Sequence, residues 1–353
     1  MTDERAELAR VLRELSAVWG VLGSPFNELM LTRLGDDAEQ GGITWELLGH
    51  IPDPSIAMPG LRLLGGVHRM VLEGRLPELG RHYQSVGGDG DLEAAWPLLY
   101  QAMVEHTDDL RPALANPPQT NEVGRAAGLA SGFLVVTHET GLPLRLLEVG
   151  CSAGLNLRAD HYWYEAGGAG FGDPESPVRF VEPWDGGHPP FDGGLTVVER
   201  RGCDASPIDA ATIEGRLTLS CYIPPDQIER FQQIQRALDV AARVPAPIDN
   251  ADAADWLEGR LAPLPEGQAT VVYHSIAWQY FDVDTDARAR DAIEAAGATA
   301  TASNPLAWLA YELPTDPAED PFPKLTLRTW PGDGGERLLA STWPHGPPIH
   351  WRA

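Results

Sequence analysis

The sequence predicts an α/β protein: a largely parallel sheet ending in an antiparallel hairpin, preceded by an all-α N-terminal cap. Three observations carry this. Leu144, Leu146, Leu147 and Val149 form an apolar run without polar alternation, the mark of a strand buried on both faces, and the run breaks at Gly150. Residues 1–135 repeat apolar positions at helical spacing. Lys324–Trp330 and Arg337–Trp343 flank Pro331-Gly-Asp-Gly-Gly335, a hairpin pattern. The expected division is a helical cap over residues 1–135 and a sheet domain over 136–353, with an insertion at 166–194.

Composition bounds the function. The 353 residues suffice for one large or two medium domains. Hydrophobic content of 43% and charged content of 22% are those of a soluble globular chain. The net charge is −25, Lys324 is the only lysine and no basic run occurs, which argues against a nucleic-acid partner. Cys151, Cys203 and Cys221 are widely spaced without a C-x-x-C, so neither a disulfide framework nor a metal site is expected. The charged start lacks a signal-peptide core, and no apolar run approaches the ~18 residues of a membrane span. The expectation is a cytoplasmic protein with no membrane partner and a small-molecule substrate; a homodimer is allowed.

In the N-terminal third, Leu8, Val11, Leu12, Leu15, Val18 and Trp19 define one helical face, and Leu61, Leu64, Val67, His68, Val71 and Leu72 a second. His68 lies on that apolar stripe and reads as a core histidine. Gly23-Ser-Pro25, Ile51-Pro-Asp-Pro54 and Gly87-Gly-Asp-Gly90 break the helices.

Pro117-Pro-Gln-Thr-Asn-Glu-Val-Gly-Arg125 stops one helix and enters the next, with Thr120 or Asn121 as the expected cap. It gathers Gln119, Asn121, Glu122 and Arg125 at one helix entry. They serve either as cap and local ion pair or as a wall of a substrate pocket.

The first strand ends in Gly150-Cys-Ser-Ala-Gly154, and Leu155–Trp163 reads as the following helix. The glycines meet the need for a tight turn where backbone approaches a ligand without a Cβ in the way. Glu148, near the strand's carboxyl end, is placed as an acceptor at the ligand crevice of an open α/β sheet. Position 152 is Ser where a dinucleotide fingerprint needs its second glycine, and no Lys-Ser/Thr follows as in a P-loop.

Residues 166–194, rich in Gly and Pro, read as a hairpin or surface loop with a short strand at Val178–Val181. A strand then runs from Thr196 into Gly202-Cys-Asp204. Ile228, Phe231, Ile234, Leu238 and Ala241 form a helical face. Asp252-Ala253-Ala254-Asp255 has the form of an ordinary capped helix start. Ala269–Ser275 is a second buried strand ending in a polar and aromatic cluster of His274, Ser275, Trp278 and Tyr280. His274 there is either a general base, a role histidine side chains commonly take, or a structural hydrogen-bonding group. A helix over Asp286–Ala296, closed by Gly297, and a strand Leu306–Glu312 precede the hairpin.

An acidic residue, one residue, Gly, three residues, Gly (Glu148, Gly150 and Gly154 here) resembles motif I of the class I S-adenosylmethionine-dependent methyltransferases. Gly202-Cys-Asp-Ala-Ser-Pro207 resembles the end of that superfamily's second strand, and Ala251-Asp-Ala-Ala-Asp255 the stretch after its third. The resemblance covers residues 140–353 and implies a Rossmann-like class I methyltransferase sheet with S-adenosylmethionine as cofactor. By it, Glu148, Gly150, Ser152, Gly154 and Asn156 hold the cofactor. Asp204 takes the ribose hydroxyls, and Asp252 and Ala253 meet the adenine. Asp204 departs in distance, standing 50 positions after Gly154 where roughly 20 is usual, an excess the insertion accounts for.

The chain also resembles a bacterial family of unknown function. The shared features are Gln119-Thr-Asn-Glu-Val-Gly-Arg125, Ser152-Ala-Gly-Leu-Asn-Leu157, Gly202-Cys-Asp204 and Trp343-Pro-His-Gly346.

The function expected is methyl transfer to a small molecule. Catalytic roles fall to His274, Tyr280 and Glu122, and substrate contacts to Gln119, Asn121, Arg125, Ser275 and Trp278. The alternative is a non-catalytic methyltransferase-like protein that binds a nucleoside-type ligand. A nicotinamide-dependent oxidoreductase is disfavoured by Ser152 and by the terminal hairpin.

Overall fold

The computed structural model describes residues 2–115, 117–314 and 322–353. It divides into two compact units, residues 1–120 with 212–235, and residues 121–211 with 236–353.

The first unit is helical. Its longer helices are Thr2–Val21, Pro25–Gln40, Pro59–Leu72, Leu92–Glu105 and Thr107–Ala115. Leu8, Leu12, Met30, Leu34, Leu63, Val67, Leu99 and Met103 are buried in its core, as the helical spacing requires. His68 is a core histidine, with Nδ1 3.0 Å from the Cys221 carbonyl oxygen and Nε2 2.8 Å from Ser85 Oγ. Burial lowers its pKa to about 4.

Twelve strands occur among the described residues, all in the second unit. In chain order they are β1 (Leu144–Val149), β2 (Trp163–Ala166), β3 (Ala169–Gly172), β4 (Arg179–Val181), β5 (Trp184–Asp185) and β6 (Val197–Asp204). There follow β7 (Ile248–Asn250), β8 (Ala269–Ser275), β9 (Leu306–Glu312), β10 (Lys324–Trp330), β11 (Arg337–Trp343) and β12 (Gly346–Trp351). Nine of them form one sheet in the order β5-β12-β11-β10-β9-β8-β1-β6-β7. The stretch β7-β6-β1-β8-β9 is parallel throughout, and from β9 to β12 the strands alternate as an antiparallel meander. The expected hairpin is therefore present as β10 and β11, extended by a third strand.

Helices cover both faces of the sheet. Ala126–Thr140, buried along almost its whole length, lies on one; the Cβ-free Gly132 lets it press onto Leu309, and Phe133 meets Tyr273 edge-on at 5.0 Å. Ala253–Arg260 and Val283–Thr299 cover the other, against Leu147, Val149, Val272, Trp308 and Trp330. The last helix continues through Gly297 to Thr299 instead of closing there. That glycine's bare Cα faces the Trp330 ring.

One local expectation needs correction. Leu155–His161 is a short 3₁₀ segment, not a long helix, because Arg158 leaves helical backbone to reach the carbonyls of Ala153 and Gly154. The insertion takes the hairpin form, and its expected short strand is present as β4. β2 and β3 form a hairpin turned by Gly167 and Gly168, both left-handed, and β4 joins it in a three-stranded sheet. Tyr164 stacks between Phe171 and Phe180, with centroids at 4.5 and 5.1 Å.

Candidate functional site

Several residues singled out from the sequence lie at or just after strand carboxyl ends: Glu148, Gly150, Ser152 and Gly154 at β1, Asp204 at β6, and His274 and Ser275 at β8. Strand order reverses beside β1: β6 lies on one side of it and β8 on the other, with later crossovers continuing outward from each. Open α/β sheets carry their ligand crevice at such a point.

The loop after β1 has three residues of positive φ, Gly150 (+67°), Ser152 (+53°) and Gly154 (+64°). A Cβ on Gly150 would stand 2.6 Å from the Ala277 Cβ, so two loops touch there. The second loop is itself strained: Ile276, a β-branched residue, has φ +50°. Two apposed loops thus each hold a non-glycine residue, Ser152 and Ile276, in left-handed backbone.

Those surroundings are specific. Asp204 Oδ2 accepts the Ser152 N–H at 2.8 Å, and its Oδ1 accepts the Ser206 N–H at 2.8 Å. Asn121 Oδ1 accepts the Leu155 N–H at 2.8 Å, and Asn156 Nδ2 donates to the Glu122 carbonyl at 3.2 Å. Asn121 is therefore not the helix cap expected of it; Glu122 caps instead, accepting the Gly124 N–H at 3.1 Å. Arg125 donates from Nη1 to the Ser275 carbonyl and from Nε to the Pro344 carbonyl, both at 2.8 Å. Inside this frame Ser152 Oγ and Asn156 Oδ1 are buried without a hydrogen-bond partner among the described residues.

Gly202 is a packing glycine, since a Cβ there would stand 2.5 Å from Cys151 Sγ. Glu148 is not an exposed acceptor. It is fully buried, hydrogen-bonded by the Tyr273 hydroxyl at 3.2 Å, and burial pushes its carboxyl up to about 8. Asp252 caps Ala253–Arg260 through the N–H groups of Ala254 and Asp255, and its second oxygen accepts from Thr285 Oγ1.

His274 has both ring nitrogens engaged. Nδ1 lies 2.6 Å from Glu312 Oε1, and Nε2 accepts the Trp308 indole N–H at 3.0 Å. That acceptor role fixes the tautomer, with the proton on Nδ1 toward Glu312. Trp278 is buried and donates its indole N–H to Asp286. Tyr280, 68% exposed, projects from the second loop, and Gln119 belongs to the helical unit.

The two ends of the second unit's chain cross at glycines. A Cβ on Gly124 would stand 2.0 Å from the His345 carbonyl oxygen, and one on Gly346 2.3 Å from the Gly124 carbonyl. The segments Gln119–Arg125 and Trp343–Gly346 thus require their glycines for one backbone crossing, clamped by Arg125. Residues 9–351 match the family described as "Uncharacterized protein conserved in bacteria (DUF2332)". The chain belongs to this family. The match bears out the resemblance to a bacterial family and names no methyltransferase superfamily. No curated protein and no solved structure matches the chain.

Two residues of this DUF2332 member escaped the sequence reading of the site. Arg158 is buried and braces the loop from beneath, donating to the Gly154 carbonyl at 2.6 Å and to Val244 at 2.8 Å. An arginine within Leu155-Asn-Leu-Arg-Ala was the available signal. Glu312, noted only as a strand end, takes three donors on Oε1: His274, and the N–H groups of Ala277 (3.0 Å) and Trp278 (3.2 Å). Burial opposes its ionisation, but those bonds hold its carboxyl below the usual range.

Proposed function

We propose that this chain is an S-adenosylmethionine-dependent methyltransferase acting on a small-molecule acceptor. One observation carries the reading: a loop of three left-handed residues with two orphaned buried polar atoms, at the reversal of strand order, tied to an acidic residue on the neighbouring strand end. The order of the parallel strands, third-second-first-fourth-fifth outward from β7, supports a Rossmann-like sheet of the class I type.

The residues fit the cofactor. Each Asp204 oxygen accepts one N–H, and a carboxylate has about four acceptor sites, so capacity for a diol remains. Ser152 Oγ and Asn156 Oδ1 offer polar contacts along the loop, and Gly150 and Gly154 leave it bare of side chains. Asp252 and Ala253 stand at the next strand end for the base. Bound there, S-adenosylmethionine supplies an already activated methyl group. The chain's task is then alignment and exclusion of water. Arg125 and Trp278 serve as fixed walls, and Ser275 and Tyr280 face the acceptor.

His274 enters this reading as a positioning residue. Its lone pair is given to Trp308 and its proton to Glu312, which favours an acceptor atom nucleophilic at neutral pH without a strong base. The same geometry favours a second reading, a non-catalytic protein that holds a nucleoside-type ligand. The test is mass spectrometry of small molecules released from the freshly purified chain. Adenosylhomocysteine or methylthioadenosine at near-stoichiometric amount supports the cofactor assignment. A different nucleoside at that level supports the second reading.

A further inference from the structure

A cavity of about 620 Å³ lies on the sheet face shared by β8, β9 and β10, beside the helix Val283–Thr299. That is the size of a small-ligand pocket. Its wall includes Trp278 and Gln279 of the loop after β8. The preceding residue of that loop, Ala277, is the one against which Gly150 of the β1 loop packs. One loop therefore borders both the cavity and the candidate cofactor loop.

The cations of the cavity wall are already committed. Arg290 lies over the Trp278 and Trp308 rings at 5.2 and 5.5 Å and pairs with Asp286 at 2.8 Å. Arg328 lies over Trp308 and Trp330 and pairs with Glu294 at 2.6 Å. Lys324 has partners of its own, Ser341 Oγ among them. Glu312 differs. Its side chain is only 19% exposed, yet its hydrogen bonds come from uncharged donors and all fall on Oε1: His274 Nδ1 and the N–H groups of Ala277 and Trp278. His274 is uncharged there, because Nε2 accepts from Trp308. No arginine or lysine among the described residues stands within ion-pair distance of Glu312. The three donors hold its carboxyl below the usual range, so it is ionised at neutral pH. Buried charges are as a rule paired. This one has no cation, and its second oxygen is unused on the wall of a ligand-sized cavity.

We propose that this cavity is the acceptor site of the methyl-transfer reading, on which the inference rests, and that the acceptor carries a cationic amine seated on Glu312 Oε2. A protonated nitrogen has no lone pair, so the amine is the anchor and not the atom methylated. The Glu312 carboxylate is pre-oriented by the backbone of Ala277 and Trp278, so little ordering is left for binding to supply. Trp278 and Trp308 give the same wall apolar surface for the acceptor's carbon skeleton.

The experiment screens phenethylamine, tryptamine, histamine and agmatine at millimolar concentration against the full chain by thermal shift, with phenethyl alcohol and tryptophol as uncharged matches. Any stabilising amine is then titrated by calorimetry. The expected result is at least one amine that raises the melting midpoint and binds at one site per chain, with the alcohols at least tenfold weaker. Glu312→Gln, which keeps a carbonyl oxygen for the three donors, is expected to weaken that binding at least tenfold. Ala310→Leu is expected to do the same by filling the cavity, since Ala310 stands on its wall in register between His274 and Thr326; it carries the test where Glu312→Gln does not fold. No shift with any amine, alcohols binding as well as amines, or binding undiminished in Ala310→Leu would overturn the assignment. Adenosylhomocysteine is titrated into the same preparation. Its binding without that of any amine overturns this inference and spares the methyl-transfer reading; amine binding without it upholds the cation site and overturns that reading.

Discussion

Asp204 Oδ2 accepts the backbone N–H of Ser152 at 2.8 Å, joining the end of β6 to the loop after β1. One carboxylate thereby fixes a residue at φ +53° and presents its own remaining acceptor capacity to the same crevice. Removing it leaves two N–H groups, those of Ser152 and Ser206, without their acceptor. We expect Asp204→Ala to cost about 1.5–3 kcal/mol in urea unfolding, the range for a hydrogen bond to a charged group. An unchanged midpoint would mean that the loop does not depend on this tie.

The contact between the β1 and β8 loops is testable by a pair of substitutions. Gly150→Ala forces a Cβ to within 2.6 Å of the Ala277 Cβ and places a non-glycine residue at φ +67°. The expected loss is about 2–3 kcal/mol, combining the strained backbone with overpacking. Ala277→Gly in the same chain removes the steric part alone, so the double variant should recover a portion of the loss. Additive losses would place the two loops apart.

Two buried groups give the units opposite responses to pH. Glu148 has its folded pKa raised to about 8 by burial, so the folded state holds a proton that the unfolded chain has lost; stability falls as pH rises from about 4.5 to about 8 and is flat beyond. His68 has its folded pKa lowered to about 4 by burial, so its contribution is present above the unfolded value of 6.5 and is lost as pH falls toward 4. Between pH 4.5 and 6.5 the sheet unit should lose protection with rising pH while the helical unit gains it. Hydrogen exchange resolved by segment reads this directly. Glu148→Gln should abolish the slope in the sheet unit and raise its stability at pH 8.5. A same-signed response in both units, or a Glu148→Gln slope equal to that of wild type, would refute the assignment.

Much of this molecule can be read from its residues, and what cannot has local causes. The buried run of β1 and the hairpin repeats were visible because period and turn chemistry act over a few residues. The placement of β10 directly beside β9 was not, since strand order depends on long-range pairing. Asn121 and Glu122 illustrate the limit at the site. Asn121 is a good capping residue and Glu122 is not a usual one, and only the distant Leu155 N–H, 34 positions on, decides that Asn121 is used elsewhere. His274 looked equally suited to catalysis and to structure; Trp308 and Glu312, brought by the neighbouring strand, commit it to structural bonds. Glycines were the best guides, because Gly124, Gly150, Gly202 and Gly346 each mark a place where a side chain would collide.

The Trp278–Arg290–Trp308–Arg328–Trp330 ladder predicts how the helix Val283–Thr299 is retained. Trp308→Ala opens the ladder at its centre and leaves His274 Nε2 without its donor. We expect a loss of about 3–5 kcal/mol in chemical denaturation. Trp308→Phe keeps the ring and deletes only the N–H, with an expected loss of about 1 kcal/mol. Equal losses for the two would show that the hydrogen bond, not the stacking, dominates.

Binding at the β1 loop is the central claim, and calorimetric titration of S-adenosylmethionine and adenosylhomocysteine tests it most directly. It should be run on cofactor-free wild type and on Asp204→Asn, which keeps one acceptor for the Ser152 N–H while losing the charge. The account predicts micromolar binding to wild type, weakened at least tenfold (~1.4 kcal/mol) by the substitution. No heat with either ligand would contradict it, as would binding that Asp204→Asn leaves unchanged.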